Sequence, residues 1–73
     1  MEDVTYTKGL YTATATARPL DGGEFRGVVS LSRDEGEGLE NTVYEVEATS
    51  ASEEEALEEA KALAHRILGE IEF

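Results

Sequence analysis

The chain has 73 residues, no cysteine, a net charge of −11 and a sequence with 17 acids against six Lys and Arg. That length allows one small domain, and the missing cysteines exclude disulfide staples, thiol chemistry and thiolate metal sites. The acidic balance argues against nucleic acid and anionic membrane as partners, since both are bound through Lys and Arg. No run approaches the ~18 apolar residues of a membrane span, and no apolar leader follows Met1-Glu2-Asp3, so a cytoplasmic location is expected.

Residues 1–9 are polar and end at Gly9; Val4 and Tyr6 share a parity that extends the first strand. The segment Tyr11-Thr12-Ala13-Thr14-Ala15-Thr16-Ala17 alternates without a break. Successive side chains of a strand point to opposite faces, so Tyr11, Ala13, Ala15 and Ala17 line one face and the threonines the other. The first strand is therefore placed over 10–18. Pro19-Leu20-Asp21-Gly22-Gly23 follows as a turn, because Pro19 cannot donate to a ladder and the glycines accept positive φ.

A second strand is expected over 24–33, with Phe25, Gly27, Val29 and Leu31 facing the core and Arg26, Val28, Ser30 and Ser32 facing out. Gly27 on the core side suits a bulge or an aromatic neighbour. Asp34-Glu35-Gly36-Glu37-Gly38 is the next turn. The third strand is placed over 40–49, with Thr42, Tyr44, Val46 and Ala48 on one face and Asn41, Val43, Glu45 and Glu47 on the other.

The period then changes from 2 to 3.6, and a helix is expected over 52–70. Ser50 with Glu53, or Ser52 with Glu55, has the spacing of a capping box. Ala56, Leu57, Ala60, Leu63, Ala64, Ile67, Leu68 and Ile71 form its apolar stripe. Glutamates crowd its start, which suits the helix dipole, and Glu58–Lys61 and Arg66–Glu70 are spaced to pair on its surface.

The expected fold is α+β: a three-stranded antiparallel meander, one face covered by the helix, forming a single domain over 1–73. Ala13, Ala15 and Ala17 then meet Ala56, Ala60 and Ala64 in a close seam, with Phe25, Leu31, Tyr44, Leu63 and Ile67 filling the wider space. The outer face, with Val28 and Val43 among threonines, serines and glutamates, is exposed. Arg26 pairs there with Glu45 or Glu47, and both outer strands offer free edges through which two subunits could form a six-stranded sheet.

The charge divides unevenly: residues 1–36 hold six acids and four bases, residues 37–73 eleven acids and two bases. The chemistry-bearing residues do not assemble into a motif. His65 falls on the helix's polar flank near Lys61, with no nucleophile marked beside it. The carboxylates of the 34–38 turn lack the calcium-loop register. Glu53-Glu54-Glu55 and Glu58-Glu59 read as a solvated helix start. Leu20-Asp21-Gly22-Gly23 leads into a strand, not a helix, so it is no phosphate cradle. Thr12, Thr14 and Thr16 occur as a single ladder. Lys8, Arg18, Arg26 and Arg33 lie near Tyr6 and Tyr11 without a ribonucleoprotein-type aromatic motif. No catalytic, cofactor-binding or metal-ligating set is expected, and the chain reads as non-enzymatic. The expected partner is a protein, in the first place a second copy forming a homodimer through a sheet edge or through the outer sheet face around Val28 and Val43; the alternative is an antitoxin-like regulator that binds a basic protein. A site at a dimer interface, for catalysis or ligand carriage, is the remaining alternative.

The helix opening Ser52-Glu53-Glu54-Glu55-Ala56-Leu57-Glu58-Glu59-Ala60-Lys61, behind three strands, resembles a HicB-type antitoxin N-terminal domain. That resemblance implies a regulator that neutralises a small ribonuclease toxin. The family's Pro-Gly-Cys-type segment before the helix has no counterpart here. In size and pattern the whole chain resembles small bacterial α+β proteins of no assigned function, which implies nothing about sites.

Overall fold

A computed structural model describes residues 3–34 and 39–70. It contains four antiparallel strands in the order β1 (Val4–Lys8), β2 (Tyr11–Pro19), β3 (Phe25–Asp34) and β4 (Leu39–Glu45), then the helix α1 (Glu53–Glu70). The α+β class is as expected, but the sheet has four strands and not three.

The added strand is β1. Lys8 pairs with Tyr11, so only Gly9 and Leu10 connect β1 to β2. Gly9 has φ 60° and no non-glycine residue among those described has positive φ, the pattern of a type II′ hairpin turn. The short polar run Val4–Lys8 thus forms an edge strand, with Val4, Tyr6 and Lys8 on the face of Ala15, Ala13 and Tyr11. This makes β2 an inner strand. Pro19 still lies within β2 opposite Phe25. It is tolerated because β1 reaches only as far as Ala15, so no neighbour on that side needs its amide.

Gly22 and Gly23 have φ of 83° and 79° in the short 3-10 turn, Asp21–Gly23, that joins β2 to β3. The 34–38 turn lies outside the described residues apart from Asp34.

Ala13, Ala15, Ala17, Val29, Ala56, Ala60 and Ala64 are all 0–1% exposed. The alanine seam between sheet and helix is therefore present. Gly27 sets how close it is: a Cβ there would stand 2.6 Å from the Ala56 carbonyl oxygen and 3.0 Å from the Ala60 nitrogen. The helix backbone itself crosses Gly27, so the glycine accommodates the helix and not an aromatic ring. Ser52 caps α1, its Oγ accepting from the Glu55 amide at 3.1 Å.

The helix packs on β2 and β3 and touches β1, leaving β4 largely outside its footprint. Tyr44 consequently does not fill the core: it is 38% exposed, although it shares a face with fully buried Val29. The physical reason is β1. A fourth strand moves the middle of the sheet to β2 and β3, and the single helix covers the middle.

Candidate functional site

The surface that stands out is the side of the molecule formed by β4 and the neighbouring flank of α1. β4 is an edge strand. Its hydrogen bonding can be read from the ladder. The Val46 amide donates to the Gly27 carbonyl directly opposite at 2.9 Å, so that pair is a hydrogen-bonded one. Antiparallel pairs alternate. Tyr44 with Val29 and Thr42 with Leu31 are then hydrogen-bonded pairs, while Asn41, Val43 and Glu45 turn their amides and carbonyls away from β3. Those three residues form the free edge.

Beyond Glu45 the chain departs from the regular strand expected to Thr49. Between the pairs Val28–Glu45 and Phe25–Ser50, β3 advances three residues and its partner five. The excess forms a bulge. Bulges end pairing and re-aim side chains at sheet edges. Phe25 and Ser50 exchange two backbone hydrogen bonds of 2.8 Å, which close it. Ser50 is buried, and its hydroxyl donates to Glu59 Oε2 at 3.2 Å, fixing that glutamate beside the bulge.

An open groove of about 570 Å³ runs between the two elements. One wall is Glu45, Val46 and Glu47; the other is Glu59, Ala62, Leu63 and Arg66, spaced to share one flank of α1. The apolar floor thus lies between three carboxylates and one guanidinium. Val43, 56% exposed, and Tyr44 put apolar surface on both faces of the same edge.

The opposite edge differs. On the β1 side the helix covers the inner face of the sheet: the Tyr6 and His65 rings lie 4.3 Å apart, and Lys8 Nζ donates to the Leu68 carbonyl at 2.8 Å, near the negative end of the helix dipole, while the backbone groups of Thr5 and Thr7 face outward by the same alternation. His65 therefore sits at a packing contact, exposed to solvent on its other side.

The outer sheet face is mixed as expected, with two corrections. Val28 is buried, at 3% exposure, although the helix lies on the other side. Arg18 on β2 bridges to Glu45 on β4 at 3.4 Å, crossing β3 beside Val28. Long basic side chains cover apolar surface with their stems in this way. Arg18, not Arg26, is thus the partner of Glu45, and Arg26 Nε is buried without a hydrogen-bond partner among the described residues. The threonine ladder extends onto β1, where Thr5 and Thr7 stand opposite Thr14 and Thr12.

Glu58–Lys61 and Arg66–Glu70 pair at 2.9 and 4.0 Å as their spacing suggested. Arg33 lies over the Tyr11 ring at 5.6 Å. Among the described residues, no group of three or more His, Cys, Asp and Glu is placed to hold a metal ion, and no helix is long and apolar enough to cross a membrane.

Comparison with protein-family models, with curated proteins and with solved structures gives no match, so nothing there bears on the resemblance to HicB-type antitoxins.

Proposed function

We propose that this chain is a non-enzymatic cytoplasmic contact module that engages another protein chain through the open edge of β4. The observation that carries the reading is the difference in what flanks the two sheet edges. At β1 the backbone groups of Thr5 and Thr7 also face outward, but the helix covers the adjoining inner face through Tyr6, His65 and Lys8. At β4 the amides and carbonyls of Asn41, Val43 and Glu45 have no partner among the described residues, Val43 and Tyr44 are exposed, and a groove lies alongside. An edge strand of this kind is a template for a further strand. The domain is also small, so added burial at this edge would contribute to its own stability.

Site-specific photo-crosslinking tests the reading. Val43 is replaced by p-benzoylphenylalanine in one variant and Thr5, on the opposite edge, in another. Irradiation in the source cell should give protein adducts from position 43 and few from position 5. No adducts from position 43, or equal yields from both, would contradict it.

A further inference from the structure

Resting on that contact reading, we infer that the occupant of the β4 edge is an extended segment of a different protein in which apolar residues alternate with Lys or Arg. The segment adds as a fifth strand. Its apolar side chains enter the groove beside Val46 and Leu63, and its cations meet Glu47 and compete with Arg18 for Glu45.

Three observations select this occupant. The first is the edge itself: the free backbone groups alternate along β4, which only an extended backbone can match. A helix laid in the groove would leave them unpaired. The second is the groove's composition. Its apolar floor, Val46, Ala62 and Leu63, accepts side chains from one face of a strand. The third is charge. Glu45, Glu47 and Glu59 line the groove with Arg66, and Arg18 bridges Glu45 from the outer face, which leaves an acidic excess on a chain of net charge −11. Opposite charge steers and holds a basic segment.

A second copy of this chain is the competing occupant, and the charges disfavour it. β4 reads Leu39-Glu40-Asn41-Thr42-Val43-Tyr44-Glu45, with two acids and no base. Pairing β4 with its own copy therefore brings no cation from the added strand to Glu47 or to Glu45, which Arg18 alone bridges, and it joins two bodies that each carry −11.

The experiment uses the full chain, labelled with nitrogen-15, and two synthetic peptides of seven residues, the length of β4. One is Lys-Val-Lys-Val-Lys-Val-Lys and the other Glu-Val-Glu-Val-Glu-Val-Glu. The Lys peptide should shift the amide resonances of Asn41, Val43, Glu45 and Val46, slow hydrogen exchange at the first three, and do so less as salt is raised. The Glu peptide should do neither.

Val43→Pro removes one free edge donor without touching the β3 ladder, and should weaken the Lys peptide by about tenfold. Glu47→Lys, a change at an exposed side chain, should weaken it without altering the melting temperature.

Shifts centred on the glutamates of the helix start, or equal responses to both peptides, would overturn the inference. Concentration-dependent protection of the same β4 amides, with no response to the Lys peptide, would overturn it in favour of a second copy and leave the contact reading intact. No response at β4 to peptide or concentration would also overturn it, and the contact reading would then rest on the crosslinks from position 43 alone.

Discussion

Replacing Gly27 with alanine should destabilise this protein, although glycine is usually the weaker residue in a strand. Gly27 does not have positive φ, so its backbone suits alanine. On backbone entropy alone, Gly→Ala at a compatible position stabilises by about 0.4–1 kcal/mol. The added methyl, however, would meet the Ala56 carbonyl at 2.6 Å, the Ala60 nitrogen at 3.0 Å and Val46 Cγ2 at 3.0 Å. Two of these are backbone atoms of α1, which cannot rotate away. The helix must lift, and lifting opens the seam where Ala13, Ala15, Ala17, Ala56, Ala60 and Ala64 lie fully packed. Overpacking of this kind costs about 1–3 kcal/mol, so the net loss is on the order of 1–2 kcal/mol. For a domain of this size that lowers the melting temperature by about 5–15 °C.

Gly69→Ala is the internal control. Gly69 lies in α1 with nothing within 4 Å of an added Cβ. There the helix propensity of alanine acts alone, stabilising by up to about 1 kcal/mol. Thermal melts followed by circular dichroism would compare the two. Opposite signs are expected. A Gly27→Ala protein as stable as the parent, or more so, would refute the close approach of helix and sheet.

Ala15→Leu should cost at least about 1–3 kcal/mol by the same overpacking, read as a shift in the urea midpoint with an unchanged slope, because Ala15 is 0% exposed at the centre of the seam. Ser52→Ala removes the acceptor of the Glu55 amide and should cost about 1 kcal/mol in the same assay, whereas Ser50→Ala should act through the buried contact to Glu59 and not through the cap. A double-mutant cycle on Arg18 and Glu45 should give a coupling of about 0.5 kcal/mol or less, diminished by salt, since both side chains are about half exposed.

Much of the fold was legible in the sequence because it rests on periodicity. The Thr–Ala alternation of 11–17 marked a strand and named its buried face, and the alanines of the helix matched it in size. Ser52 and Glu55 located the helix start. What periodicity could not supply was context. β1 is short and polar, and its signal was a glycine turn: Gly9-Leu10 is a two-residue hairpin connection, which the unbroken alternation downstream overshadowed. Missing β1 displaced the centre of the sheet, and with it the position of the helix. Tyr44 has core parity, but parity gives the face of a strand and not whether that face is covered. Val28 has outward parity yet is buried, because Arg18 reaches across β3, a contact between strands that no local pattern encodes. The candidate surface was half legible. Free sheet edges followed from any open meander, but the choice of β4 over β1 depended on which edge has the helix over its adjoining face.

The measurement that bears most directly on the open β4 edge is residue-resolved amide hydrogen exchange of the isolated chain at low concentration. Amides of Thr42, Tyr44 and Val46, which face β3, should exchange slowly. Those of Asn41, Val43 and Glu45 should exchange close to the rate of an unstructured chain. Uniformly slow exchange from Asn41 to Val46 would contradict the account, because it would mean that the edge is already covered.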